Sequence, residues 1–328
     1  MITIESLEQK HIQEAAELFV DSYKAQRKRL DYLPAQYENP EVAARLLQDM
    51  LTTQTGVAAI SNGRLVGYLT GYAQIPHFKG LSQGAYVPEW AHSVAGEQGR
   101  NATFQLMYDR IAAEWIDQGS YTQAITYFAS DTALQDLLYW NGFGMVTVDA
   151  IRLCQGDEND DASLDANTII RQAHADDLPQ LIQLDVALRQ YLARSPVFFL
   201  FQEHEYDQAA QEFLGEDIVS AVAEQNGRLV ACIRGTMQKE DGCTIVRDES
   251  VMGINFGYTD PNVRGTGIGR RLLAYVLAWG RRSHKVGCAV DFESANVLGR
   301  IFWLKHFQAA CFSAIRFADP RITCSSTE

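Results

Sequence analysis

The chain has 328 residues, 47% of them hydrophobic and 21% charged, with a formal net charge of −13. This length allows two domains, 15 Phe, 14 Tyr and 5 Trp exclude a chain disordered throughout, and no apolar run approaches the ~18 residues that span a bilayer. The acidic balance argues against nucleic acid as a partner, because binding phosphates takes a basic face.

Residues 1–13 are acidic and helix-like and lack the zones of a secretion signal, so a cytoplasmic location is expected. Ile12, Ala15 and Leu18 then recur at helical spacing. Residues 56–73 read as a hairpin turned at Asn62-Gly63, a pair that supplies the two positive-φ positions of a type I′ turn. A strand follows, then a helix with Phe104, Met107, Tyr108, Ile111 and Trp115 on one face, a strand at 124–128, another helix and a last strand. Residues 154–167, CQGDENDDASLDAN, carry Asp157, Glu158, Asp160, Asp161 and Asp165 and little that is apolar, so they read as a solvated linker.

Beyond the linker the same order returns. Leu178, Leu181 and Leu184 mark a helix, 218–237 a hairpin turned at Asn226-Gly227, and 251–258 a strand. A helix bearing Ile268, Leu272, Tyr275, Val276 and Trp279 comes next, then a strand at 286–292, a helix and a strand. The residues themselves repeat at a constant offset of 164: Asn62-Gly63-Arg64-Leu65-Val66 returns as Asn226-Gly227-Arg228-Leu229-Val230, and Ala150-Ile151-Arg152 as Ala314-Ile315-Arg316. Arg100, Trp115 and Phe143 return as Arg264, Trp279 and Phe307. The chain therefore reads as two copies of one α/β (α+β) domain, 1–153 and 168–328, each a mixed sheet with helices on both faces. Six cysteines, at 154, 232, 243, 288, 311 and 324, have no CxxC spacing and read as reduced thiols, with no metal expected.

The sharpest local signal is Asp260-Pro261-Asn262-Val263-Arg264-Gly265-Thr266-Gly267-Ile268-Gly269-Arg270, a glycine-rich turn between a strand and an amphipathic helix. Such a turn converges backbone N–H groups at a helix N-terminus, where the dipole favours anions, and glycine lets a diphosphate approach closely. A Walker loop is excluded because GxxxxGK[ST] is absent. A dinucleotide fingerprint fails because its third glycine would fall at Arg270 and only 59 residues follow Gly269. What remains is [RQ]-x-x-G-x-[GA], met by Arg264, Gly267 and Gly269, or a turn that binds nothing.

Here the sequence resembles the GCN5-related N-acetyltransferase (GNAT) superfamily, whose acetyl-CoA loop has this pattern after a strand, with a proline upstream as at Pro261. The family's second mark, an Asn followed by an aromatic helix, is matched by Asn296 and the segment through Phe302, Trp303 and Phe307. Through the repeat the resemblance covers nearly the whole chain and is of the tandem-domain type, the architecture of mycothiol synthase, with a mostly antiparallel sheet in each domain. It implies acetyl-CoA as co-substrate, an amine acceptor, no metal, no nucleic acid or membrane partner, and a monomer or homodimer. It implies cofactor contacts from Gly257, Tyr258 and Thr259 to the thioester, from Arg264, Gly265, Thr266, Gly267, Ile268, Gly269 and Arg270 to the diphosphate, and from Asn296 and Trp303 to the pantetheine arm.

The departures from the family pattern are specific. In copy one Thr103 and Gln105 stand where Gly267 and Gly269 stand in copy two, and Thr132, beside Asp131, stands for Asn296, so copy one reads as a degenerate domain. The helix position of the family's acidic Tyr is held by Trp303 or Phe302. The strand position of its Glu falls at Asn255, leaving Asp248, Glu249, Asp291, Glu293 or a water as the base; Glu293, Asn255 and Asn296 are the catalytic candidates. His284 and His306 read as packing or surface residues, and 196–206 reads as an acceptor cover or a plain helix turn. Copy one holds 11 Lys+Arg against 21 Asp+Glu through Asp161, a balance of −10, which suits a cationic acceptor. The function expected is N-acetyl transfer by the second copy. A silent acyl-CoA sensor or interaction protein, and thiol biosynthesis of the mycothiol synthase kind, are the alternatives.

Overall fold

Both Asn-Gly pairs adopt the backbone their hairpins require, with φ of 51° and 74° at Asn62 and Gly63 and 52° and 78° at Asn226 and Gly227. Around these turns the computed structural model describes residues 1–155, 167–200 and 206–322. Most of the acidic segment 154–167 therefore lies outside the described residues, as does 201–205 of the segment 196–206.

In chain order the first elements are β1 (Ile2–Ser6), α1 (Ile12–Arg27), α2 (Pro40–Leu51), β2 (Gly56–Ser61), β3 (Arg64–Thr70), β4 (Tyr72–Ile75) and β5 (Gln83–Val87). Then come β6 (His92–Val94), α3 (Arg100–Asp117), β7 (Ser120–Phe128), α4 (Thr132–Trp140) and β8 (Gly144–Leu153). The repeat supplies β9 (Thr168–Gln172), α5 (Leu178–Leu192), α6 (Tyr206–Leu214), β10 (Ile218–Gln225), β11 (Arg228–Thr236) and β12 (Val251–Thr259). It closes with α7 (Ile268–Arg282), β13 (Gly287–Glu293), α8 (Val297–His306) and β14 (Gln308–Phe317).

One correction concerns the start of the chain. Residues 2–6 form a strand antiparallel to β2, from Ile2 opposite Ser61 to Ser6 opposite Val57. Ladder pairing with β2 overrides the local helical appearance of that stretch. Helix faces also differ in detail from the periodic reading. On α1 Phe19 and Val20 are buried while Leu18 is half-buried, and on α7 Leu273 and Leu277 are buried while Tyr275 and Trp279 are half-buried.

The two compact units are not consecutive halves of the chain. One comprises Met1–Val148, Cys243–Ile245 and Ala309–Glu328, and the other Asp149–Gly242 and Val246–Gln308. In the first unit β1, β2, β3 and β6 form one sheet, and β4, β5, β7 and β14 follow one another as neighbouring strands. There β14 lies antiparallel to β7, with Cys311 opposite Phe128 and Phe317 opposite Thr122. In the second unit the strand order is β8-β13-β12-β11-β10-β9. Residues 149–153 of β8 belong to it, and the Cys154 N–H donates to the Val286 carbonyl at 2.8 Å just past them. Each unit thus takes its last strand from the far half of the sequence. Of the ladders whose register is described, all are antiparallel except β5 with β7 and β12 with β13.

The second unit buries apolar material on both faces of its sheet. Leu181 and Leu184 of α5 and Phe213 of α6 pack with Val222, Leu229, Cys232 and Phe256. On the opposite face a Cβ at Gly235 would lie 2.8 Å from Val276 of α7, so glycine there permits close helix packing. All five described cysteines are buried and none forms a disulfide among the described residues.

Candidate functional site

The site begins where two strands part. β12 pairs with β13 only over 251–254 against 287–290, although β12 runs on to Thr259 and β13 to Glu293. Beyond Ile254 the edge of β12 that faced β13 is released from that ladder. On its other edge β12 pairs with β11, and the register shifts where Arg234 faces Phe256 and Gly235 faces Ile254. Asn255 is the extra residue of this bulge, and a bulge re-aims side chains next to a site.

A cavity of about 550 Å³ lies beside the released part of β12. Gly257, Tyr258 and Thr259 line it from β12, and Asn296, Phe302 and Trp303 from α8 and its cap. Close contacts explain the glycines of its wall: a Cβ at Gly257 would sit 2.9 Å from the Trp303 ring, and one at Gly269 would sit 3.2 Å from the Phe302 ring. Asn296 caps α8 through its Oδ1, which accepts the Gly299 N–H at 3.0 Å.

The glycine-rich loop forms the third side. Gly265 and Gly267 have φ of +80° and +89°, conformations that only glycine adopts freely. Gly267 is the N-cap of α7 and offers no side chain to cap it, so the first N–H groups of α7 remain for a ligand. Open space surrounds Gly265 where a Cβ would be. Arg264 is fixed from two directions. Its Nε donates to the Thr259 carbonyl at 2.9 Å, and its guanidinium lies 5.5 Å from the Tyr191 ring centre and 5.9 Å from that of Tyr258. An uncapped helix start, two positive-φ glycines and a held guanidinium together fit a diphosphate.

Of the expected cofactor residues, Gly257, Tyr258, Thr259, Arg264, Gly265, Gly267, Ile268, Gly269, Arg270, Asn296 and Trp303 all line this cavity. Thr266 turns away and donates its hydroxyl to the Val263 carbonyl at 2.7 Å. The catalytic candidates divide. Asn255 is exposed, accepts from Arg234 Nε at 2.9 Å, and lines a second cavity of about 650 Å³ with Asp217, Glu240, Asp241 and Lys285. Glu293 is half-buried at the end of β13, outside both linings. Asp291 pairs with the buried Lys239, and Asp248 accepts the Ser250 N–H and hydroxyl at 2.8 and 2.6 Å. Glu249 and His284 are exposed, and His306 lies against the Phe302 ring at 5.0 Å. Within 196–206 the described Phe198, Phe199 and Leu200 are exposed.

Sequence reasoning missed Tyr191. It lines the cavity, and its O–H donates to Asn296 Oδ1 at 3.3 Å. Extending the spacing of Leu181 and Leu184 through Leu188 would have placed Tyr191 on that face of α5.

The equivalent place in the first unit is filled by its own side chains. Arg100 forms a two-pronged ion pair with Asp131, whose Oδ1 also accepts the Leu134 N–H at 3.1 Å. Thr103 is buried, with its hydroxyl on the Gly99 carbonyl at 3.0 Å. The Gln105 and Asn141 amides bond each other at 2.7 and 3.1 Å. Among the described residues no group of three or more His, Cys, Asp or Glu is placed to hold a metal ion, and no helix is long and apolar enough to cross a membrane.

Residues 186–300 match the model of the acetyltransferase (GNAT) family. A GCN5-related N-acetyltransferase from Sphaerobacter thermophilus superposes with a TM-score of 0.59 at 14% identity, covering 99% of this chain and 98% of that one. A tandem GNAT protein from the clavulanic acid biosynthesis pathway gives 0.51 at 12%, covering 98% of this chain and 100% of that one. A GCN5-related glucosamine N-acetyltransferase region of a fungal multi-domain GH3 beta-N-acetylglucosaminidase gives 0.53 at 14%, covering 96% of this chain and 38% of that one. No curated protein matches the sequence. The chain thus has the tandem GNAT fold, mostly antiparallel strands in sheets flanked by helices. The match to the GNAT family model falls within its second copy.

Proposed function

We propose that the second unit transfers an acetyl group from acetyl-CoA to an amine of a small molecule or peptide, as a cytoplasmic enzyme. The observation that carries this reading is the uncapped start of α7 at Gly267, set beside the released edge of β12. Acetyl-CoA supplies the acetyl group as an activated thioester. The loop N–H groups and Arg264 would hold its diphosphate. Backbone N–H groups over 257–259 would hold the thioester carbonyl and stabilise negative charge as it develops there. Asn296, fixed as the cap of α8, would contact the pantetheine arm, with Trp303 as its wall. Glu293 or a water would take the proton that the amine sheds; Asn255, which has no basic group and lines the second cavity, would take no part in that step.

The first unit would bind no acyl-CoA, because Asp131 already occupies Arg100 and the loop glycines are absent. Calorimetry with CoA tests the binding, and thiol release from acetyl-CoA across an amine library tests the transfer. Binding without release for any amine would favour the second reading, a silent acyl-CoA sensor. The placement of Glu293 outside the cavity and the neutral Asn255 favour that reading.

A further inference from the structure

We propose that Trp303 sets the length of acyl group that the donor can carry, closing the cavity to chains longer than acetyl. The assignment rests on the acyl-CoA reading of the cavity and adds to it the donor that the site selects.

The backbone of β12 fixes where the acyl end of a donor lies. The Asp260 N–H donates to the Val230 carbonyl at 2.8 Å, so residue 260 points its N–H toward β11. Along an antiparallel ladder successive residues point alternately to one side and the other. Tyr258, opposite Cys232, therefore also points its N–H toward β11, while Gly257 and Thr259 point theirs toward the edge that β13 has left. The Thr259 carbonyl agrees with this, since it accepts from Arg264 Nε at 2.9 Å rather than pairing within the sheet. Thr259 adjoins the glycine-rich loop, and Gly257 lies two residues further in, about 7 Å at ~3.4 Å per residue. A donor whose diphosphate sits on the loop meets Thr259 first, with the amides of its arm, and Gly257 last, with its thioester carbonyl. The acyl chain is the terminus of the donor, so it continues past Gly257.

Trp303 stands there. It is buried and lines the cavity, and a single carbon added at Gly257 would lie 2.9 Å from its Cζ2 and 3.4 Å from its Cη2. The indole thus rests directly on the β12 backbone, with no room for a carbon between them. Ile233, opposite Gly257 on β11, lines the same end, with its Cγ1 4.0 Å from that added carbon. The indole is held in place by Phe302 and Phe307, whose rings stand edge-on to it with centres 4.9 and 5.6 Å away. An acetyl group ends one carbon beyond the carbonyl. Each further methylene has to displace a braced ring or Ile233, and forcing methylenes into a packed wall is costly.

The readout is binding, in which no acceptor takes part. Calorimetry gives the affinities of each protein for acetyl-CoA and butyryl-CoA, and their ratio cancels any general effect of a substitution on CoA binding. The unsubstituted protein should prefer acetyl-CoA by roughly tenfold or more. Trp303→Leu should bring that preference to about twofold or below, and Trp303→Phe should fall between. Equal affinity for the two donors in the unsubstituted protein overturns the assignment. So does a preference that neither substitution reduces. Should Trp303→Leu fail to fold, Trp303→Phe, which keeps an aromatic ring, decides in its place. If the unsubstituted protein binds neither donor nor CoA itself, the acyl-CoA reading falls, and this assignment with it.

Discussion

Arg264→Met separates what the guanidinium does for the fold from what it does for the ligand. In the protein the guanidinium lies over two tyrosine rings, 5.5 and 5.9 Å away, and Nε donates to the Thr259 carbonyl at 2.9 Å. Each ring contact is worth about 0.5–1 kcal/mol at a half-exposed site, and the hydrogen bond about 1 kcal/mol net. These contacts exist with or without ligand, so their loss lowers stability by about 2–3 kcal/mol and leaves affinity alone. Arg264 also lines the cavity, and losing a charge-assisted bond to a diphosphate costs about 1.5–3 kcal/mol, a roughly 10- to 150-fold rise in the Kd for CoA. Arg264→Lys keeps the charge without the planar fork and should fall between. Calorimetry at two salt concentrations checks this, since the residual affinity of Arg264→Met should depend less on salt than that of the unsubstituted protein. A folded Arg264→Met protein that binds CoA as tightly as the parent would refute the placement of the diphosphate on this loop.

Three further outcomes follow from other parts of the chain. Calorimetry should find one equivalent of CoA per chain, and Arg100→Met should leave that affinity unchanged while lowering thermal stability, because it strips the partner from Asp131. The Lys239 side chain is 1% exposed and ion-paired with Asp241 and Asp291, which are 64% and 31% exposed. Lys239→Met should cost about 2–3 kcal/mol in denaturant unfolding, below the ~3–5 kcal/mol of a fully buried broken pair because both carboxylates keep solvent. The two carboxylates hold the Lys239 pKa above its ordinary value of 10.5 against the opposing burial, so this stabilisation is whole below that pH and fades as pH rises past the raised value. His92, buried with Nε2 2.9 Å from the Thr126 carbonyl oxygen, has its pKa lowered by burial from the ordinary 6.5. The unfolded chain therefore binds that proton first as pH falls, and stability drops below about pH 6.5; His92→Gln should show a shallower loss between about pH 7 and 5 in thermal melts.

What is legible in the sequence is what the backbone enforces locally. The Asn-Gly turns and the loop through Gly265 and Gly267 are written in residues that alone tolerate positive φ, and the structure puts positive φ at those places. The copies align because their hairpins and helices repeat residue by residue. Features set by distant pairing are not legible. Residues 2–6 are a strand because β2 offers them a ladder, which nothing within residues 1–13 announces. Counting along β12 reaches Asn255 but not the bulge that turns it toward the second cavity. Tyr191 sits about a hundred residues before Asn296, and only the packing of α5 brings the two together. The apolar pattern of β8 and β14 marks them as strands without saying which sheet each will join.

That last point governs how the protein is made. The sheet partner of β7 is β14, and 180 residues separate Phe128 from Gln308. At the ~5–20 residues per second of synthesis, the edge of β7 waits roughly 10–40 s for its neighbour on the ribosome. During that interval the nascent chain presents an open strand edge, the kind of surface that pairs with whatever strand it meets. The N-terminal half released on its own would keep that edge permanently, so a chain cut within the acidic segment should aggregate where the whole chain does not.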